Sequence, residues 1–340
     1  EAHGDGGLNE IWTFVSENRY VTGVITGILI NVLSGCLTKD RELADLPKQE
    51  LRLKIEKLKN RNLLFGPINK ITLLQLQGKL ASQITPGSRN FNAMIGMSLT
   101  AQAIKIAHAI ELLETQTLSG LKEYLQGIVK QAEQKKSKGV QTIVKSDNFK
   151  AALLSLNNLL AQKIEHPKIE ELAVITEEEI KNNEKAKIMI FCQFRETAAT
   201  ITKRLNKIPK INAQVFIGQA KKTSTQGKLS GLTQKEQKAI LEKFRNNEIN
   251  VVVATSIGEE GLDIPEVSAV VFYESIPSAI RKIQRAGRTA RLAPGKIIML
   301  ITKDTKDIAF HYASSAREKN MYKSLEQVKK QLKTKTLKDF

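Results

Sequence analysis

Residues 187–206 read Lys-Ile-Met-Ile-Phe-Cys-Gln-Phe-Arg-Glu-Thr-Ala-Ala-Thr-Ile-Thr-Lys-Arg-Leu-Asn. Six residues of nearly unbroken apolar character are followed at once by a segment with helical spacing. The first part is strand length and apolar on both sides of the period-two pleat, which suits a strand covered on both faces. The same alternation continues downstream. Strand-like NAQVFIG (212–218) follows, and then Thr233-x-x-Glu236 caps a helix that ends near Asn246. Asn250–Thr255, Ser268–Glu274 and Lys296–Thr302 are further apolar runs. Apolar strands that alternate with amphipathic helices predict an α/β domain, a parallel sheet with helices on both faces. Ligands of such sheets sit at the carboxyl ends of the strands. The residues just past those ends, Thr255, Glu260 and Asp263 among them, therefore face the chemistry.

Upstream the period is different. Leu51, Ile55 and Leu58, then Ile106, Ile110 and Leu113, follow helical spacing, as do Leu121, Leu125 and Ile128. Phe149, Leu153, Leu156 and Leu160 form a further stripe. Residues 46–165 are thus expected to form an all-α domain of four or so helices. His166-Pro167 opens a short helix with proline in its first turn, and Thr176-x-x-Glu179 reads as a capping box. The expected division is 1–45 as an N-terminal part that is partly strand-like, 46–165 helical, 166–184 a junction, 185–325 the α/β domain and 326–340 a basic tail.

The chain has 340 residues, with 53 Lys and Arg against 35 Asp and Glu, a net charge of +18. That excess points to a polyanionic partner, nucleic acid first. Lys48, Arg52, Lys54, Lys57, Lys59 and Arg61 on one helix, and Lys130, Lys135, Lys136 and Lys138 after another, are candidate phosphate contacts. Cys36 and Cys192 lie far apart, and His3, His108, His166 and His311 are scattered, so neither a disulfide framework nor a metal site is expected. Tyr20–Cys36 is apolar but at the short edge for a membrane span, and its β-branched residues fit a buried strand at least as well. No membrane partner is expected, and no signal peptide pattern precedes this stretch.

Two blocks carry the chemistry: Ala254-Thr-Ser-Ile-Gly-Glu-Glu-Gly-Leu-Asp263 and Gln284-Arg-Ala-Gly-Arg-Thr-Ala-Arg291. Closely spaced arginines beside a glycine break push fixed charge onto a polyphosphate, and the planar guanidinium is suited to the charge that builds up in phosphoryl transfer. With IMIFCQFRETA at 188–198, these blocks resemble motifs IV, V and VI of a superfamily two helicase. Further strings, HAIELLETQ at 108–116, FIGQA at 216–220, LTQKEQKAIL at 232–241 and VVFYESIPSAIRKIQRAGRTAR at 270–291, resemble the archaeal Hef and FANCM family, which acts on branched DNA. The resemblance covers roughly residues 95–340 and implies a second RecA-like domain preceded by a helical, thumb-like insert.

Carried over by motif position, it implies that Arg288 and Arg291 reach the γ-phosphate of ATP, with Arg291 as arginine finger, and that Gln284 and Arg285 shape the same face. Asp263, after Gly261, would bond the ribose. Thr255 and Ser256, near Gly258 and Glu259, would touch the tracking strand, and Gln193 and Arg195 would lie over its backbone. Ala290 departs from the glycine that many relatives have there, without removing a donor. Lys221 and Lys222, in the polar loop 219–231, read as DNA-facing, a tolerated surface insertion being the alternative.

No G-x-x-x-x-G-K-[ST] string and no D-E-A-H or D-E-A-D string is present, although Glu1-Ala2-His3 could be the stump of one. The expectation is that the phosphate cradle and the ligands of Mg²⁺ come from a first RecA-like domain, encoded in the same gene or as a split subunit. This chain by itself should then not hydrolyse ATP. Thr334–Phe340 has some likeness to sliding-clamp binding peptides, but Thr334 stands where glutamine is typical and a frayed basic tail is the better reading. The function expected is the motor half of an ATP-dependent helicase or translocase on forked or branched DNA, in the cytoplasm with the nucleoid. A non-catalytic module for branched DNA and a fragment of an RNA-sensor type helicase are the alternatives.

Overall fold

The structure, a computed structural model, describes residues 11–14, 25–32, 41–84, 90–219, 222–223, 229–255, 264–275, 295–302 and 305–334. By contacts the chain divides into a sheet unit (1–33, 168–220 and 231–340) and a helical unit (34–167 and 221–230).

The sheet unit is built on strands β1 (Ile11–Phe14), β2 (Ile25–Val32), β3 (Ile188–Phe191), β4 (Ala213–Phe216), β7 (Val251–Ala254), β8 (Ala269–Phe272) and β9 (Gly295–Thr302). Their order is β1-β2-β9-β8-β3-β7-β4, parallel throughout except for β1. The apolar run at 25–32 is accordingly a strand, paired with β9 from Ile25 opposite Gly295 to Val32 opposite Thr302. The period-two pleat divides the core. Ile188, Ile190, Val251, Val253, Ala269 and Val271 face helices α7 (Pro167–Asn182) and α8 (Arg195–Leu205). Met189, Phe191, Val252, Ala254, Val270 and Phe272 face the opposite side, toward Ile240, Leu241 and Phe244 of α9 (Gln234–Arg245). Strands β3, β7 and β8 are apolar throughout because both of their faces are buried.

Two local expectations diverge. The Thr233–Glu236 box forms as read, with Thr233 N–H donated to Glu236 Oε2 at 2.7 Å and Glu236 N–H to Thr233 Oγ1 at 3.3 Å. The Thr176–Glu179 box does not. Helix α7 starts at Pro167 and runs through it, so Thr176 is buried in mid-helix and donates its hydroxyl to Leu172 O at 2.7 Å. A threonine can bond back to the preceding turn, and three-residue spacing alone cannot tell that from a cap. Glu179 instead meets Lys296 Nζ at 2.6 Å.

Beside the ends of β8 and β9 lies a fully buried ion pair. Lys168, in the first turn of α7, donates to Asp307 Oδ2, in the first turn of α10 (Lys306–Thr334). The same carboxylate oxygen accepts the Thr302 N–H at 3.2 Å, and the ammonium lies 5.3 Å from the Tyr273 ring centroid. Neither ionic side chain is solvent-exposed.

The helical unit holds α1 (Arg41–Lys59), α2 (Lys70–Ser82), α3 (Phe91–Thr115), α4 (Leu118–Glu133), α5 (Lys138–Lys145) and α6 (Asp147–Ala161). That is two helices more than the stripes announced. In α5 only Val140 and Ile143 are buried, so its anchors hide in a lysine-rich stretch that reads as polar loop. By length and composition α3 could cross a membrane, but 56% of its most apolar window is buried in the unit, as befits the central helix of a bundle. Glu165 accepts from the backbone N–H groups of Leu118 and Ser119, placing a carboxylate at the positive end of α4. The charges of α1 are not all on the surface: Lys54 is buried and pairs with Glu50 at 2.7 Å, which removes it from the candidate phosphate contacts.

On α3, Glu111 receives Lys70 Nζ at 2.9 Å and has His108 Nδ1 at 3.8 Å. Burial raises its pKa, but the hydrogen bonds and charges of His108 and Lys70 outweigh that and bring it down to about 2. His108 also meets the Tyr124 ring edge-on at 4.9 Å, a structural role of the kind its isolation in the sequence implied.

Two predictions follow from this packing. Lys168→Met or Asp307→Leu alone should cost about 3–5 kcal/mol in urea unfolding, because each leaves one buried charge uncompensated, while the double replacement should recover most of the loss. For Glu111, the folded pKa lies below the ordinary 4.5, so its stabilisation is complete above that value and is lost as pH falls toward 2. Glu111→Gln should flatten that part of the acid-unfolding profile, followed by circular dichroism.

Candidate nucleotide and nucleic-acid edge

From β3 the chain goes first to one side of the sheet, to β4 and β7, and then to the other, to β8 and β9. The loops after β3 and β8 therefore leave in opposite directions from adjacent strands, which is the switch point where open parallel sheets hold ligands. At this carboxyl edge Gln193 is exposed, two residues past the end of β3. Arg195 opens α8, is partly buried, and reaches Gly218 O with Nη2 at 3.4 Å. Phe194, the N-cap of α8, makes no side-chain capping bond. The positive end of α8 thus opens at the same edge as these two polar side chains.

Thr255 follows β7 directly. It is 4% exposed, and its N–H donates to Phe216 O at 3.1 Å, extending the ladder between β7 and β4 by one rung. Its described role is thus in the backbone of this edge. Lys222 stands on β5 (Lys222–Thr223), opposite Ser230 of β6 (Leu229–Ser230), so a short antiparallel ladder forms within the stretch read as a polar loop. Ser256, Gly258, Glu259, Gly261, Asp263, Gln284, Arg285, Arg288, Arg291 and Lys221 lie outside the described residues. The segments that hold the two main blocks, 256–263 and 276–294, follow Thr255 and Ser275, at the carboxyl ends of β7 and β8. Chain direction therefore starts both at the edge where Gln193 and Arg195 stand.

Two supports of this edge escape a reading of the sequence. Gln237, buried on α9, donates Nε2 to Ile217 O at 2.9 Å and so ties that helix to the end of β4. Lys168 and Asp307 flank the exit from β8 through Tyr273. A lysine before an isoleucine and an aspartate at a helix start look like ordinary surface residues, and only burial distinguishes them. Among the described residues, no three His, Cys, Asp or Glu side chains gather in a way that could hold a metal ion.

A parallel sheet covered on both faces by helices is the RecA-like fold of superfamily two helicases. The family comparisons agree with the two units: the model of the Helicase conserved C-terminal domain matches residues 167–293, and an RNA helicase helical-bundle model matches 39–165. The crystal structure of the Pyrococcus furiosus Hef helicase domain is similar at 37% identity and TM-score 0.69, over 87% of this chain and 59% of that one. A Methanocaldococcus jannaschii protein that carries an ATP-dependent RNA helicase name is 35% identical over 83% of this chain and 35% of its own length. The ATP-dependent DNA helicase mph1 of Neurospora crassa is 32% identical over 80% of this chain and 24% of its own. ATP-dependent DNA helicase fml1 of Schizosaccharomyces pombe is 36% identical over 54% of this chain and 22% of its own. The chain belongs to the Hef- and FANCM-like superfamily two helicases, of which it carries the helical bundle and the C-terminal helicase domain. It spans about a third of the archaeal relative and about a quarter of the Neurospora one.

Replacing Gln237 by Leu should leave the Ile217 carbonyl without its buried donor and cost about 1–3 kcal/mol, read as a lower midpoint of urea unfolding.

Proposed function

We propose that this chain is the second motor domain and helical insert of an ATP-dependent DNA helicase or translocase that acts on forked or branched DNA. The observation that carries the reading is the likeness to the Hef helicase domain across both units, with motif segments starting at the switch-point edge. The printed names of the fungal relatives, both DNA helicases, favour DNA. An interior location, with the nucleoid, goes with this proposal.

In this reading Arg288 and Arg291 project onto the γ-phosphate of ATP, Arg291 as the finger that stabilises the charge of the transition state. Gln284 and Arg285 shape the same face, and Asp263, after Gly261, bonds the ribose. Gln193, Arg195, Thr255, Ser256, Gly258 and Glu259 position the tracking strand through its phosphates, a task suited to amides, hydroxyls and one guanidinium at strand ends. Lys221 and Lys222 add positive charge beside it. ATP and its Mg²⁺ would be cradled by a first RecA-like domain. The arginines of this chain suit phosphate oxygens and offer a metal no ligand. The sliding clamp is a further candidate partner, through residues 334–340.

The test is DNA-stimulated ATP hydrolysis in an assembly that joins this chain to a P-loop-bearing first domain. Arg291→Ala should lower the rate on the order of 10³–10⁵-fold, and an unchanged rate would remove the finger assignment. The net charge of +18 also supports a second reading, a DNA-branch-binding module without catalysis. Under it, fork binding falls steeply with salt, about 0.9 in log K per log salt for each phosphate neutralised, but no partner domain restores hydrolysis. The name of the archaeal relative keeps RNA in view, and competition between forked DNA and duplex RNA separates the two.

A further inference from the structure

Among the described residues the helical unit leaves apolar side chains exposed on α2, at Ile71 and Leu74, and in a three-residue stripe on α3. At the start of α3, Phe91, Met94 and Ile95 are 66%, 50% and 40% exposed, while Ala93 and Gly96 on the opposite side are buried. The spacing i, i+3, i+4 lines the three up on one face of the first two turns. Water-facing residues of that size, three together on one helix, call for an explanation that scattered ones do not.

Basic side chains stand beside the stripe. Gly96 lets the turn after α1 lie close: a Cβ there would meet Leu63 Cδ1 at 2.5 Å. That approach brings exposed Arg61 to the helix end, where its Nη1 donates to Asn92 Oδ1 at 3.3 Å, beside Phe91. Lys57 and Lys59, both exposed, close α1 just before it. Among the described residues 51–84 the exposed basic side chains are Arg52, Lys57, Lys59, Arg61, Lys70 and Lys79 against exposed Glu56, and Lys70 is already paired with Glu111. Apolar surface meant for a protein partner is ordinarily poor in lysine. An aromatic ring with flanking aliphatics beside basic side chains is instead the composition of a platform for unpaired nucleotides, where the ring stacks a base and the cations follow the backbone.

We propose that the exposed face of α3, with Phe91 as the stacking ring, Met94 and Ile95 as its apolar floor and Arg61 as the phosphate contact, binds unpaired nucleotides. This rests on the nucleic-acid reading above and adds to it a base-contacting surface distinct from the sheet edge. It gives the helical unit a way to tell an open strand from a blunt duplex, since stacking needs a free base face.

The experiment uses the whole chain, a fluorescein-labelled oligothymidylate and a blunt duplex of the same length, at low salt. Phe91→Ala should weaken oligothymidylate binding about 5- to 100-fold, the range seen when one base loses its aromatic partner, and leave duplex binding unchanged. Arg61→Ala should weaken both. Leu154→Ala, an equally exposed residue on α6, should change neither. Because Phe91 is exposed, each variant should keep the wild-type circular dichroism. A Phe91→Trp variant reads stacking directly, as quenching by the oligothymidylate beyond what the native Trp12 shows. Tight single-strand binding that ignores Phe91→Ala, or no added quenching at position 91, overturns the platform and leaves the motor reading standing. Absence of binding to either nucleic acid overturns both. A self-associating chain that Phe91→Ala turns monomeric in sedimentation makes the stripe a contact between copies, and the platform proposal falls.

Discussion

The constraint on which the rest depends is that β3, β7 and β8 are buried on both faces. Ile188–Phe191, Val251–Ala254 and Ala269–Phe272 are each 0–1% exposed, so no polar side chain can stand along their length. Polar chemistry is confined to where these strands end. Parallel direction then sends all their carboxyl ends to one edge, and the crossing of the chain over β3 opens that edge between β3 and β8. The polar edge is a consequence of apolar packing along the strands.

The edge is held from beneath by polar groups that are themselves dry. Lys168 and Asp307 bring the first turns of α7 and α10 together beside Tyr273, the residue that leaves β8. Gln237 does a similar task for β4. A buried ion pair adds little net stability, since desolvation offsets most of the attraction. Its contacts join the first turns of α7 and α10 to Thr302 and bring the ammonium close to the Tyr273 ring.

The helical unit follows another logic. Its core, around Leu58, Leu73, Leu80 and Ala103, leaves the start of α3 only half covered. The sheet unit gathers polar groups at an apolar core's end, whereas this unit exposes apolar groups beside basic side chains.

Much of this was legible in the chain itself. The unbroken apolar runs at 188–191, 251–254 and 269–272, separated by helical periods, determine a parallel sheet, because only strands covered on both sides are apolar at every position. Thr233 and Glu236 specify their helix start through bonds that span three residues and need nothing distant. Motif strings mark the family, and strand ends mark where chemistry gathers. The misreadings share a cause. Thr176 bonds backward within a helix, Lys54 is buried against Glu50, and α5 is anchored by two residues in a lysine run. Each depends on what packs against the residue, and spacing carries no record of that. The pairing of Lys168 with Asp307 joins residues 139 positions apart, and the exposure of Phe91 reflects what its neighbours leave uncovered. Local sequence thus decided the elements and their order, and tertiary packing alone decided which charges are dry and which apolar face is wet, because burial is a property of the assembled surface and not of any one segment.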